Sequence, residues 1–561
     1  MKTRLEQQLG KKGVSKKLRI GTFHALCYGQ LKAAGEEFVL AEESMALDLV
    51  REVAGELGAK GSAKKLRQKL SERKLRIAIE KTGEIREGYE EKKSPEGQED
   101  LESPELSQVA AAYQSRLKAL GALDFDDLLI KALWMAEKEK KPIPYLLVDE
   151  FQDLSPLQYR LIQAWNQGGK ELFIIGDPDQ AIYGFRGADD KSFSRYCREK
   201  PTEVISLRKN YRSTPEILTA SAMVLRNGRP FWENGEPGKN RKAAEGGVVL
   251  ETVQKSGLPV RLVLAPNPRQ EAIFVAKEIN RLVGGMDMLD AQEGFFCPEE
   301  RVLRSFGDIA VLYRTHRQAE LLEACLKREG IPYVVTGRES FLDEDVVRGS
   351  LGFFRSLINP DDHLSRDLCL RLLWKGEEGL AFQGGYQALA EKYRSLCRRG
   401  KPQKLWDLWR GDMGLLENPA MEKLAAMAVF YKTMEEMLKA LAFGRESDIK
   451  RWGGKHYTSD AVTLMTMHGS KGLEFPAVFI CGLCAGTVPL EYKGMETDLE
   501  EERRLLYVAM TRAGEELILT SPGDASIFVK QLPDGILIRE QARQREKSWD
   551  AGQQLSLFDK K

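Results

Sequence analysis

The sequence predicts an α/β protein with parallel sheets in two domains, interrupted by helical insertions. Three observations carry this. Short apolar runs recur along the chain at IPYLLVDE, ELFIIGDPDQ, EVISLRKN, DIAVLYRT, IPYVVTG, AVTLMTMHG, PAVFICGL and ELILTSP. Longer helical patterns separate many of them, and that alternation is the pattern of parallel sheets covered by helices. Several runs also end in polar residues where the strand stops, the end at which ligands sit in open α/β sheets.

Two regions break the alternation and read as helical insertions. Residues 28–105 are rich in Lys, Glu, Leu and Ala and close on the acidic, proline-containing EEKKSPEGQEDLESPE, a loop or linker composition. Residues 361–455 hold the helical patterns LCLRLLW, QALAEKYRSLCRRG and MEKLAAMAVFYKTMEEMLKALAFG. Residues 541–561 are polar up to their last few positions and are expected to be disordered.

At 561 residues the chain exceeds what one core supports, so two to four domains are expected. With 42% hydrophobic and 30% charged residues, and no run of eighteen apolar residues, a membrane span is excluded. MKTRLEQQLG has no apolar stretch behind its basic residues, so it is not a secretory signal. The eight cysteines are scattered through the chain, which points to a reducing cytoplasm. Net charge is only +1, yet residues 1–30 carry seven Lys or Arg against the single acid Glu6. That face can meet phosphates or be an ordinary solvated surface.

The chemistry begins at YLLVDEFQDLSP, residues 145–156, where an apolar run meets Asp149 and Glu150. Such a pair serves either as helix-capping carboxylates at a strand-to-helix turn or as a Mg²⁺ ligand beside a general base. Downstream, GDPDQAIYGFRGA places Gln180 at a strand tip, followed by Tyr183, Phe185 and Arg186, which suit stacking on unpaired bases. LRKNYRSTPEIL, TLMTMHGSKGLEF and EEERRLLYVAMTRA follow in that order. Singly they read as a helix start at Ser213 to Pro215, a glycine turn at Gly472 and a charged helix face at Glu500 to Arg504.

Taken together, GTFHALC, VDEFQD, GDPDQAIYGFRGA, NYRS, MTMHGSKGLEF and RRLLYVAMTRA resemble the UvrD, Rep and PcrA type of superfamily-one DNA helicase. The resemblance implies an ATP-dependent translocase with two RecA-like domains that moves 3′ to 5′ on single-stranded DNA in repair or recombination. It assigns Asp149 to Mg²⁺, Glu150 to polarising the attacking water and Gln180 to the γ-phosphate. Arg212 and Arg512 resemble arginine fingers, Tyr211 the residue that stacks on adenine, and Gly472 and Glu474 the turn and carboxylate at the ribose. Thr22, Phe23, His24, Tyr183, Phe185, Arg186, Thr466 and His468 match the positions that contact DNA, as a single strand and at single/double-strand junctions.

The same resemblance divides the chain. Residues 1–27 and 106–203 form a first, partial RecA-like domain, with the insertion at 28–105. Residues 204–360 and 456–540 form the second, with a shortened insertion at 361–455.

One family element is missing. Phosphate binding needs G-x-x-x-x-G-K-[ST] ahead of the acidic pair, because backbone N–H groups and a lysine must neutralise the phosphates. The sequence contains no such run, and GGK at 168–170 and 453–455 lacks both the spacing and the hydroxyl. The expectation is a fragment, or one half of a split helicase, whose loop comes from another polypeptide. The rival expectation is a non-catalytic, single-strand-binding protein tethered to a sliding clamp.

Two smaller signals remain. Cys481 and Cys484 in FICGLC have C-x-x-C spacing but no second pair, so a buried strand end is the better reading than zinc. His316, His363 and His456 show no ligand spacing. The terminal QLSLF resembles a sliding-clamp peptide, with Gln554 as its hydrogen-bonding end and Leu555, Leu557 and Phe558 as apolar anchors.

Overall fold

The computed structural model describes residues 18–81, 103–184, 187–188, 192–226, 250–284, 303–337, 341–374, 380–443, 460–491 and 497–542. It divides into two units: residues 1–178, 183–195 and 339–457 form one, and residues 179–182, 196–338 and 458–561 the other. Residues 339–360, assigned from sequence to the second α/β domain, therefore group with the first unit.

The first unit is mostly helical. Helix Phe23–Ala33 starts on the Thr22 cap, and helix Phe125–Glu139 on a reciprocal capping box between Asp124 and Asp127. A short parallel pair, β1 (Val39–Leu40) and β2 (Ala122–Leu123), connects the helical insertion to them. The insertion itself, helices Glu43–Leu57, Ala63–Lys81 and Pro104–Ala119, buries Val50, Val53, Val109, Tyr113 and Leu117. Its charged centre is compensated: Arg67 and Lys74 reach Asp124 and its neighbours Asp126 and Asp127.

The acidic pair follows β3 (Tyr145–Val148), which pairs in parallel with β4 (Glu171–Ile174) in register from Tyr145↔Glu171 to Val148↔Ile174. Leu146 packs toward the core of helices Phe125–Glu139 and Pro156–Asn166. The opposite side chains are bare, with Tyr145 58%, Leu147 71%, Phe173 55% and Ile175 44% exposed. Parallel sheets ordinarily bury both faces, so this open face is an exception.

The helices from Asp345–Ile358 to Met434–Phe443 form a separate core around Phe353, Phe354, Trp406 and Trp409. Phe353 and Trp409 stack at 4.3 Å, and the Trp409 indole donates to Ser350 Oγ at 2.8 Å. Those helices attach to the insertion through Arg348 to Asp48 at 2.5 Å and Arg355 to Glu42 at 2.5 Å.

The second unit contains a minor parallel pair, β5 (Lys209–Asn210) with β6 (Glu251–Thr252), and a large sheet. The large sheet comprises β7 (Val260–Ala265), β8 (Ile309–Tyr313), β9 (Tyr333–Val335), β10 (Val462–Thr466), β11 (Phe475–Ile480), β12 (Ala513–Pro522) and β13 (Leu537–Gln541). Its order is β13-β7-β12-β11-β8-β10-β9, and every pairing is parallel. The interior strand β8, flanked by β11 and β10, is buried at every position, as its unbroken IAVLY requires.

Seven of the eight apolar runs thus become strands. EVISLRKN does so only at Lys209–Asn210. Val204, Ile205 and Leu207 are 53%, 71% and 82% exposed without regular structure, because an apolar run becomes a strand only where a neighbour takes its backbone bonds. The runs missed from sequence, VRLVLA at β7 and LIREQ at β13, lie next to each other on one side of the sheet. The polar Arg261, Arg539 and Glu540 dilute their apolar pattern, and Arg261 bonds Glu540 across the pair at 2.8 Å.

Candidate nucleotide and nucleic-acid sites

In the first unit, Val148 ends β3 and the chain turns sharply. Glu150 adopts a left-handed conformation with φ 54°, one of two described non-glycine residues with positive φ. Asp149 closes this turn, its Oδ1 accepting the Glu150 backbone N–H at 3.0 Å, while its side chain stays exposed. Strained φ values in non-glycine residues cluster at functional positions because surrounding structure must hold them.

Gln152 supplies that hold. It is 1% exposed, donates its amide to Glu150 Oε2 at 2.6 Å and accepts the Asp177 N–H at 3.0 Å. One buried side chain thereby ties the end of β3 to the segment after β4. Gly176 is required beside it, since a Cβ there would collide with Gln152 Oε1 and approach Phe193 to 2.9 Å. Helix Pro156–Asn166 then begins on Ser155, whose capping box with Gln158 satisfies the helix start. The helix is capped by Ser155, so Asp149 and Glu150 are not its caps.

An exposed carboxylate with one backbone contact fits Mg²⁺, which takes one or two protein carboxylates and completes its shell from phosphates and water. Among the described residues no three acidic, histidine or cysteine side chains gather as a metal cage.

In the second unit, the Asn210 side chain accepts the backbone N–H groups of Arg212 and Ser213, both at 2.9 Å, and shapes the turn after β5. Tyr211 projects from this turn 69% exposed, its carbonyl held by Gln254 Nε2 at 2.8 Å. Arg212 donates Nε to Glu474 at 2.8 Å and Nη1 to the Thr511 carbonyl at 3.3 Å. Glu474 follows the glycine turn at Gly472, whose φ of 79° suits no other residue as well.

Arg512 is different in kind. It is 2% exposed, and its three nitrogens donate to the Val508 carbonyl, the Leu473 carbonyl and Thr511 Oγ1. The short loop Gly472–Leu473–Glu474 therefore touches both arginines: the Leu473 carbonyl takes Arg512 and the Glu474 carboxylate takes Arg212. Residues 179–182 group with this unit. There the Lys471 ammonium donates to the Gln180 carbonyl at 2.7 Å and Arg504 Nε to the Ala181 carbonyl at 2.8 Å.

The residues matched to DNA contacts divide between the units. Thr22 Oγ1 accepts the Ala25 N–H at 3.4 Å and donates to the Phe443 carbonyl at 3.5 Å. Phe23 stacks parallel to Trp165 at 6.1 Å, and His24 meets Phe125 edge-on at 5.0 Å. Burial pushes the His24 imidazole below its ordinary pKa, with Asp126 and Asp124 opposing the shift. In the second unit, Thr466 ends β10 and accepts the Gly469 N–H at 3.1 Å, with His468 in the turn that follows. Tyr183 is half-buried. Phe185, Arg186 and the QLSLF residues Gln554, Leu555, Leu557 and Phe558 lie outside the described residues.

Sequence reasoning did not single out Gln152, Asn210 or Lys471, and read Arg504 only as part of a charged helix face, although each lies inside a quoted motif. Their signal was a polar residue at a fixed place beside an assigned one. Cys481 is fully buried and its thiol pKa is raised by that burial, with Glu271 adding to the shift, which agrees with a buried strand end.

Residues 1–201 match the model of the UvrD/REP helicase N-terminal domain, and residues 205–377 and 387–522 that of the UvrD-like helicase C-terminal domain. The ATP-dependent DNA helicase PcrA of Bacillus subtilis is 29% identical over 509 residues, covering 77% of this chain and 64% of the relative. The chain thus spans under two thirds of that relative. A PcrA from Staphylococcus epidermidis is 24% identical over an alignment of 655 positions, covering all of this chain and 82% of its own. A solved structure, the C-terminal domain of a possible DNA helicase from a Lactobacillus, covers 59% of this chain and 98% of its own at 13% identity and a TM-score of 0.25.

Proposed function

Because the chain belongs to the UvrD-like helicase family, we propose that it acts as the motor of an ATP-dependent 3′ to 5′ DNA helicase in cytoplasmic DNA repair or recombination. The observation that carries this reading is the acidic turn, where buried Gln152 orients the Glu150 carboxylate while Asp149 is left exposed at the end of β3.

In this reading Asp149 would hold Mg²⁺, which would supply charge to offset that of the phosphates, and Glu150 polarises the attacking water as its general base. Gln180 meets the γ-phosphate. Tyr211 stacks on the adenine, and Glu474, after the Gly472 turn, bonds the ribose hydroxyls. Arg212 and Arg512 stabilise charge on the transferring phosphoryl group, a role typically worth ~10³ to 10⁵ in rate. Stacking by Tyr183 and Phe185, with Arg186, Thr22, Phe23, His24, Thr466 and His468 along the strand, is tolerant of base sequence.

The phosphate loop comes, on this proposal, from a polypeptide segment outside these 561 residues. Support comes from the sequence, which lacks the loop, and from the bare apolar face of β3 and β4, the surface on which another layer of an α/β sheet would pack.

The test is single-strand-stimulated ATP hydrolysis by the purified chain beside Glu150→Gln. Turnover above that control means the site works without an added segment. Equal background rates, restored when a loop-bearing segment is added, support the two-part motor. Background rates that no added segment raises, with tight single-strand binding indifferent to ATP, favour the second reading, a non-catalytic clamp-tethered strand binder. The observation behind that alternative is Arg512, whose nitrogens are already engaged within the fold. A peptide of residues 548–561 that binds a bacterial sliding clamp, and loses it with Phe558→Ala, establishes the tether.

A further inference from the structure

Resting on the nucleotide-site reading above, we infer that Glu474 is an exchange partner: it holds Arg212 when no nucleoside is present and gives it up to the ribose hydroxyls. Recognition of the sugar thereby releases the arginine for the phosphates.

The argument is one of competing donors on one carboxylate. Glu474 Oε2 accepts Arg212 Nε at 2.8 Å, and the Arg212 side chain is 32% exposed against 69% for Glu474. An ion pair that wet is worth little, so hydroxyl donors can replace it. A buried pair could not be exchanged this way, because parting it strands a charge out of water. Tyr211, the adjacent residue, is 69% exposed, so a base stacked on it brings its own sugar toward the same turn. The backbone on both sides is fixed independently of the pair. Asn210 accepts the Arg212 N–H, and the Leu473 carbonyl is held by Arg512. The exchange then moves side chains and not backbone, with Arg212 also leaving the Thr511 carbonyl that its Nη1 meets at 3.3 Å.

The exchange makes the sugar hydroxyls and Arg212 competitors in the absence of phosphates. Adenosine isolates that competition, because it carries the base and the sugar but nothing for an arginine finger to bind. The measurement is the affinity of the full chain for adenosine and for 2′,3′-dideoxyadenosine, by calorimetry or ligand-detected magnetic resonance. In Arg212→Met, adenosine is expected to bind about two- to five-fold more tightly than in the unsubstituted chain, the range an exposed ion pair allows, while dideoxyadenosine is unchanged. In Glu474→Gln, the two ligands should converge and a further Arg212→Met should add nothing.

Equal shifts for both ligands, no shift for either, or an Arg212→Met effect that persists in the Glu474→Gln background overturns the exchange. Adenosine binding that is absent, or unaffected by Tyr211→Ala, overturns the nucleotide-site reading itself. The two failures are therefore told apart by the same titration.

Discussion

Gln152 donates to the Glu150 carboxylate at 2.6 Å while its carbonyl oxygen accepts the Asp177 N–H at 3.0 Å. A residue between two acids in the sequence thus spans two strand ends in the fold. Replacing it with Ala leaves the Asp177 N–H without this acceptor and Glu150 without its orienting donor. The expected cost is about 1 to 3 kcal/mol, read from the urea midpoint. Gly176→Ala should cost a comparable amount because the new methyl displaces the same side chain. Unchanged midpoints for both would show that Gln152 does not hold this turn.

Asp124 and Asp127 predict a pH dependence. Burial, then the nearby Asp124 charge, pushes Asp127 up to about 6. Burial also opposes the charge of Asp124, yet Lys74 and Arg67 hold it below the ordinary carboxylate range. The raised group binds more protons folded than unfolded, so its contribution is fully present below the ordinary aspartate pKa and is lost as pH rises through about 6. The lowered group does the reverse, its contribution disappearing as pH falls below the ordinary value. Asp127→Asn should therefore be less stable than the unsubstituted chain near pH 4 relative to near pH 7. A stability difference that stays flat across that window contradicts the assignment.

Asp48 collects Arg51 at 2.6 Å, Arg348 at 2.5 Å and Arg371 at 3.2 Å. Arg348 is largely buried, so Asp48→Ala removes its close partner and leaves it with the looser Asp345 contact at 3.7 Å and little water. The expected loss is about 3 kcal/mol by thermal or urea unfolding. Arg51→Ala, at a position with an exposed side chain, should cost well under 1 kcal/mol.

Arg512 is expected to act on stability as well as on rate. Its three nitrogens bond within the fold at 2% exposure, so Arg512→Ala leaves the Val508 and Leu473 carbonyls without these donors and opens a cavity. A destabilisation of several kcal/mol, about 3 to 5, is expected from unfolding curves. Arg212→Ala, half-exposed, should cost less than about 1 kcal/mol. Rate losses in the two variants are comparable only after that difference is removed.

The bare face of β3 and β4 makes the opposite prediction. Leu147→Glu and Phe173→Glu should change stability by less than about 0.5 kcal/mol, since neither side chain is packed. Both should reduce binding of an apolar dye. A large destabilisation would mean that this face is covered in solution.

Much of the α/β pattern was legible because it is local. Unbroken runs such as IAVLY and FPAVFI report strands buried on both faces, and helix starts such as Ser155-Pro156 carry their own caps. EVISL was misread for a reason equally physical: a strand exists only with a neighbour, and a run of apolar residues says nothing about whether one is there. At the site, residue types and motif order located Asp149, Glu150, Tyr211 and Arg212 on turns after strands. They did not reveal Gln152 or Asn210, whose roles are to hold those turns.

By itself the sequence determined the class of the protein and its chemical groups, because strand periodicity, carboxylate pairs and arginines are properties of short stretches. Tertiary structure alone decided their state. It buried Arg512 and left Arg212 half-exposed on Glu474. It packed His24 against Phe125 and exposed Leu147 beside buried Val148. Each of these depends on which distant segment lies against the residue, such as Glu474 against Arg212, 262 residues away, and contacts over such separations leave no periodic trace in the chain.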